Sequence, residues 1–381
     1  MQHTAFVCAP ETKEDDSLMR KRSSCSSTPR NQITSRKPER LAALFALFLA
    51  FSLLLSACGA GSAQADALKK AAAQPRTQAT KEEIPAPEEL TIPAGQTIRV
   101  GYLAQNETIQ FNTYLSAALL KEAEKYQGQV EVEMVDARGI AANQVSQAED
   151  MVTKGVDAMI ISAYDQDASA PALDVAVKAG IPVIAVNTVT SNINIATAYV
   201  GVDDREAGIK AVQLMSDALG GKGTVNVMKG LLGDPANEKR MLGLDEELGR
   251  HPDIKVGSAL SADWDRGKAM NLAEDWIIGG EPFDGLIAMN DEMAISASNA
   301  FRAAGWDDVL VIGVDAIDEA LEMIREGKLY GTVFQDAAAQ GRGALNIAVA
   351  AVLGEDVHKD YIIPYETVTA ENVEQYIGRY S

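Results

Sequence analysis

An α/β fold of two similar lobes, each a doubly wound parallel sheet flanked by helices, is predicted by three observations. The chain has 381 residues, more than one hydrophobic core ordinarily supports, so two lobes are expected. From Thr97 onward, short β-rich apolar runs alternate with longer amphipathic stretches, the sequence form of repeated βα units. The apolar runs lack strict alternation, as strands covered on both faces by helices do.

The elements follow in chain order. A basic stretch (Arg20, Lys21, Arg22, Arg30, Arg36, Lys37, Arg40) precedes an apolar run of 15 residues from Leu41 to Leu55. That run is short for about 30 Å of hydrocarbon and reads as the core of a secretory signal. It ends in Leu55-Ser56-Ala57-Cys58-Gly59, which resembles the lipobox of bacterial lipoproteins. The resemblance implies a signal peptide over 1–57, cleavage before Cys58 and a diacylglyceryl group on its sulfur. An uncleaved anchor helix is the other reading, and Met19 is an alternative start to Met1. Cys8 and Cys25 fall in the removed segment, which leaves Cys58 alone in the mature chain and no intramolecular disulfide. Residues 58–96, rich in Ala, Gln, Pro, Lys and Glu, read as a flexible tether.

Strands are expected at Ile98–Leu103, Val130–Val135, Ala158–Ser162, Val183–Val186, Thr224–Met228, Lys255–Leu260, Gly285–Met289, Val309–Gly313 and Gly331–Phe334. Helices are expected between them, among others at Asn112–Tyr126, Ala141–Lys154, Asp204–Ala218 and Ala294–Ala304. Ligands of doubly wound sheets sit beyond the carboxyl ends of the strands. The residues that follow the strand runs include Gln105-Asn106 with Phe111, Asn187-Thr188, the stretch from Gly230 to Arg240, Trp264, Asn290-Asp291, Asp315 and Gln335. Rings such as Phe111 and Trp264 can cover the C–H faces of a sugar. Arg240, Asn290, Asp315 and Gln335 can hydrogen-bond its hydroxyls with planar forks. Each also has a plainer reading: Trp264 as core at a helix start, Asn290 and Asp315 as helix caps, and Arg240 paired with Glu238 or Glu246 on a solvated helix face.

These residues carry a resemblance to the ribose- and galactose-type (type 1) periplasmic binding proteins of sugar ABC importers, spanning about Thr97 to the C-terminus. Ala288-Met289-Asn290-Asp291-Glu292-Met293-Ala294, then Val311-Ile312-Gly313-Val314-Asp315, resemble the family's strand–NDEMA–helix and GxD pair. Ala262-Asp263-Trp264-Asp265-Arg266 resembles its aromatic-presenting segment. Thr332-Val333-Phe334-Gln335-Asp336, Asn226 through Gly243, and Ile363-Pro364-Tyr365-Glu366-Thr367-Val368-Thr369 continue the match in order. The resemblance implies Phe111 and Trp264 on opposite sugar faces, and Arg240, Asn290, Asp315 and Gln335 on the hydroxyls. It also implies chain crossings near Asp203-Asp204, Phe334 to Asp336 and Ile363-Pro364. The N-terminal lobe is then 97–203 with 336–363, and the C-terminal lobe 204–335 with 364–381. Asn187-Thr188 depart from the Asp-Arg of ribose-type members, and the Gln105–Gln110 loop and Asn112 also differ. The ligand class, a monosaccharide or polyol, survives these changes, while its identity does not follow.

The expected partners are that ligand, the transmembrane subunits of an ABC permease and, through Cys58, the membrane; the protein is expected as an extracytoplasmic monomer without a cofactor or metal. A sensor kinase or chemoreceptor reading the loaded form is the alternative. A net charge of −20 argues against nucleic acid and so against the sugar-responsive transcription regulators of similar core. The mature chain holds His251 and His358, neither after a predicted strand, and no G-x-S-x-G, P-loop or G-x-G-x-x-G motif in place. No enzyme is expected.

Overall fold

The structure, a computed structural model, describes residues 78–380; Cys58, the signal segment and most of the tether lie outside them. The first part of the chain runs β1 (Gln78–Thr80), β2 (Ile98–Ala104), α1 (Gln110–Glu124), β3 (Val130–Asp136), α2 (Ala141–Lys154), β4 (Ala158–Ile161), α3 (Ala170–Lys178), β5 (Val183–Val186) and β6 (Ala198–Gly201). The second runs α4 (Asp204–Leu219), β7 (Gly223–Lys229), α5 (Pro235–Leu248), β8 (Ile254–Ser261), α6 (Arg266–Gly279), β9 (Gly285–Ala288), α7 (Asp291–Ala303), β10 (Leu310–Asp315), α8 (Asp318–Arg325) and β11 (Gly331–Phe334). Then come α9 (Ala337–Leu353), β12 (Asp360–Ile362) and β13 (Glu366–Thr369).

These strands form two sheets, in the orders β1-β12-β6-β5-β4-β2-β3 and β13-β11-β10-β9-β7-β8. Every pair is parallel except β11 with β13. Strands β4, β5, β9 and β11 are buried at every position, which is why they read as unbroken apolar runs. The chain leaves the first sheet between Gly201 and Asp204, returns between Phe334 and Ala337, and leaves again between Ile362 and Glu366. Four strands are absent from the sequence expectation. β6 is four residues containing Ala and Gly, β1 and β12 have three each, and β13 alternates polar residues; none carries the β-branched apolar run that marks a strand.

The described part of the expected tether is corrected by the structure. Gln78–Thr80 pairs in parallel with Asp360–Ile362 at the edge of the first sheet. Leu90 and Ile92 are buried, Asn346 Nδ2 donates to the Pro85 carbonyl at 3.0 Å, and Ile84 Cδ1 lies 2.8 Å from where a Cβ on Gly343 would stand. The apolar residues here are spaced by prolines instead of by a helix or strand period, so burial leaves no periodic trace in the sequence.

In the second lobe, α4 and α5 approach so closely that side chains are excluded between them. A Cβ on Gly208 would stand 1.9 Å from the Arg240 carbonyl oxygen, and one on Gly243 1.9 Å from that of Arg205. Both obstacles are backbone, so the helices themselves would have to separate. Gly208→Ala and Gly243→Ala should each lower the unfolding free energy by about 2 kcal/mol or more in urea melts. On propensity alone, Gly→Ala inside a helix gains up to ~1 kcal/mol, so an unchanged or stabilised variant would contradict this account of the contact.

Candidate functional site

One cavity lies at the carboxyl ends of both sheets, where the strand order reverses beside β2 and beside β7. From the first sheet's side it is lined by Gln105, Ile109, Phe111, Asn112, Tyr164, Asn187 and Thr188, and from the other by Asp234, Ala236, Arg240, Trp264, Asn290, Asp315 and Gln335. Each ends or follows a strand or sits in the first turns of the next helix. The cavity volume is about 50 Å³, below the several hundred Å³ of most small-molecule sites. All eight ligand-site residues expected from the sequence therefore border a single cavity.

Arg240 is the centre of its wall. The side chain is buried, and its Nε donates to Asp204 Oδ1 at 3.0 Å, Nη1 to the Met289 carbonyl at 2.5 Å, and Nη2 to Gln335 Oε1 at 2.8 Å and Tyr365 Oη at 3.2 Å. Tyr365 in turn donates to Asp204 Oδ1 at 2.8 Å. Burial works against the guanidinium charge, but the surrounding Tyr365, Asp204 and Asp315 hold it protonated well above its ordinary value. The plainer reading, a surface pair with Glu238 or Glu246, is overturned; Glu246 pairs with Arg205 and Arg250 instead. Most of Arg240's five N–H groups are spent inside the protein. Gln335 is used similarly, since its Nε2 donates to Asn187 Oδ1 at 2.9 Å.

Asp315 differs. It is buried, and among the described residues its carboxylate accepts no hydrogen bond; its nearest cation is Arg240 Nη1, 4.0 Å away. Burial drives its proton affinity well up, Arg240 opposes this, and Asp291, Glu292 and Asp204 add to the rise. Asn290 caps α7 through Oδ1, which accepts from Met293 N at 3.0 Å, so the capping role and the cavity position coexist. Thr188 donates to the Ala163 carbonyl at 2.5 Å.

Backbone strain gathers at the same place. Asn187, Asp263, Trp264, Asp315 and Ala316 have φ of +62°, +53°, +64°, +123° and +59°, conformations that non-glycine residues adopt at a cost and that cluster at functional sites. Trp264 is thus in a strained turn before α6, which Asp265 caps, and not on the helix as its sequence context suggests. The lobes also touch outside the cavity: Gln110 N donates to Glu292 Oε1 at 3.2 Å and Tyr114 Oη to Asp318 Oδ2 at 2.9 Å.

The sequence reading passes over three participants. Tyr164 follows β4, a strand end left unread although the same rule covers it. Asp234 lies within the Gly230–Arg240 stretch but is not singled out there; it caps α5, with Oδ1 accepting from Ala236 N at 2.7 Å. Asp204 is expected only at a chain crossing. A carboxylate that partners an arginine 36 positions away leaves no local signature.

A family model described as periplasmic binding protein domain matches residues 100–356. A xylitol-binding protein of Mycolicibacterium smegmatis is 34% identical over 246 residues, 64% of this chain and 70% of its own. A putative rhizopine-binding protein of Rhizobium meliloti is 34% identical over 277 residues, 71% of this chain and 89% of its own. Among solved structures, an ABC transporter solute-binding protein of Bacillus halodurans with bound myo-inositol is 36% identical with a TM-score of 0.71, over 75% of this chain and 99% of the other.

Buried carboxylates around the cavity set a pH dependence of stability. Burial raises Asp234 to about 6 against the helix N–H of Ala236, and raises Asp291 to about 7 against its bonds from Thr332 Oγ1 and Ile317 N. A raised folded value means that the native state binds the proton more readily than the unfolded chain, so stability increases as pH falls from about 7 toward 4. Carboxylates held below their usual range, such as Asp263 beside Lys268, act in the opposite sense only at lower pH. The melting temperature should therefore be higher near pH 5.5 than at pH 7.5, and Asp291→Asn should narrow that difference; a stability that rises steadily from pH 5.5 to 7.5 would refute the assignment.

Proposed function

We propose, from the premise that this chain belongs to the periplasmic binding protein family, that it is the extracytoplasmic solute-binding component of an ABC importer. It takes a monosaccharide or related polyol in the cavity between its lobes and delivers it to the membrane permease. The observation that carries the reading is Asp315: its carboxyl group borders the cavity 4.0 Å from Arg240 and takes no hydrogen bond from the described residues, so it is open to hydroxyls of whatever enters. A hydroxyl-rich ligand supplies them. Phe111 and Trp264 offer apolar surface for its C–H faces, and Asn290 and Asn187 offer neutral polar groups.

Phe111, Asn187, Thr188, Arg240, Trp264, Asn290, Asp315 and Gln335 are the ligand-site residues of this reading. Arg240 and Gln335, with most of their bonds internal, shape the wall more than they grip the ligand. The three crossings between the sheets serve as the hinge. The lipobox-like sequence at Cys58 supports attachment of the mature monomer to the outer face of the membrane, where multiple acyl chains hold a protein firmly.

Calorimetric titration of the chain with aldoses, ketoses, linear polyols and cyclitols should give micromolar or tighter binding for at least one of them. Heats indistinguishable from dilution across that panel would end the proposal. Asp315→Ala should weaken binding of that compound by about 2–5 kcal/mol, because the ligand's buried donors lose their acceptor. Trp264→Ala should lose affinity while keeping the thermal unfolding transition. Cys58→Ala should move the protein from the membrane fraction to the soluble one at unchanged affinity; a variant that stays with the membrane would disprove the lipid anchor.

A further inference from the structure

Three features meet on the indole of Trp264. Its backbone sits in a left-handed turn with Asp263, and Asp263 is itself held by Ser261 Oγ at 2.6 Å and Lys268 Nζ at 2.6 Å. The ring lies where the side chain of residue 230 would be, since a Cβ on Gly230 would stand 2.0 Å from Trp264 Cζ2. Its Nε1 donates to Asp234 Oδ2 at 3.2 Å. The other oxygen of Asp234 is engaged separately, accepting from the first amides of α5. One carboxylate thus divides its work: Oδ1 caps the helix that carries Arg240, and Oδ2 fixes the edge of the aromatic platform.

We infer that Asp234 is the positioning residue that sets the ligand preference of the pocket, by locking the Trp264 indole flat over Gly230 so that the ring accepts an apolar face in one orientation only. The inference rests on the polyol-binding reading and deepens it. A rigid plane favours ligands whose C–H groups lie together on one face, as in cyclitols and pyranoses whose axial hydrogens on alternate ring carbons share a face. Linear polyols, which must be ordered to present such a face, gain less from it.

The two oxygens allow a clean separation. Asp234→Asn keeps an oxygen for the helix cap but turns an NH₂ toward the indole N–H, so the cap survives and the indole bond is lost. Trp264→Phe keeps a ring but has no N–H. The single variants and their combination are titrated with the best ring ligand and the best linear polyol of the panel, and near-ultraviolet circular dichroism is recorded without ligand. Trp276 and Trp306 pack around Phe283, so the indole difference signal belongs to Trp264. Asp234→Asn should weaken the ring ligand about tenfold or more and the linear polyol much less, shift the indole band, and melt within a few degrees of the parent. In the Trp264→Phe background the same change should alter affinity less than about twofold and leave the spectrum unchanged.

Equal losses in both backgrounds would mean that Asp234 acts on the ligand directly, and would overturn the inference. So would an indole band untouched by Asp234→Asn. If no panel compound binds the parent protein, the proposed function fails, and the spectra still decide whether Asp234 positions the ring.

Discussion

The molecule is organised around one buried guanidinium. Arg240 bonds to Asp204, Gln335 and Tyr365, and these stand at the three places where the chain passes between the sheets. A charge with 4% exposure is tolerable only if its donors are met and its charge is balanced, and both conditions are satisfied by groups on the crossings. The same side chain borders the cavity. Pocket wall and crossings are therefore parts of one hydrogen-bonded unit, and a change in either is felt by the other through a single residue. Gly208 and Gly243 make this possible, because only a bare Cα lets α4 bring Asp204 within 3.0 Å of Arg240 on α5.

What the sequence revealed of the fold followed burial. Strands covered on both faces, such as β4, β5, β9 and β11, are apolar without interruption and stand out, as do helices that end at glycine. The short strands at the β1 and β13 ends of the sheets do not. β1, β12 and β13 hold their places through backbone pairing to a neighbour, an interaction that every residue except proline can make and that leaves no side-chain pattern. The packed segment before Ile98 was lost for a related reason: Ile84, Leu90 and Ile92 are anchored singly, between prolines.

The site was more legible than the margins of the fold, because topology fixes where to look. Reading only the residues beyond strand ends gathers Phe111, Asn187, Thr188, Arg240, Trp264, Asn290, Asp315 and Gln335 around one cavity. The rule assigns places but not bonds. It credits Arg240 and Gln335 with free donors that the structure shows are mostly committed to protein partners, and it is silent on Asp204 and Asp234, whose work is to hold other side chains. Those roles depend on contacts across 30 to 40 positions, which one sequence does not encode locally.

The division of charge between the two walls gives the arrangement a physical direction. Every cavity residue from the first sheet's side is neutral: Gln105, Ile109, Phe111, Asn112, Tyr164, Asn187 and Thr188. The acidic and basic groups, Asp234, Arg240 and Asp315, all stand on the other. Where ribose-type relatives would place Asp-Arg on the neutral wall, this chain has Asn187 bonded to Gln335 and Thr188 bonded to a carbonyl. Bringing the walls together thus strips water from charges on one side only, and Arg240 is already compensated there by Asp204. The desolvation cost of approach falls chiefly on Asp315, whose carboxylate has no donor of its own. On the reading proposed above, closure around a ligand that bonds Asp315 removes that cost and closure without one leaves it standing, which ties the approach of the lobes to a carboxylate whose nearest cation, Arg240, stands 4.0 Å away.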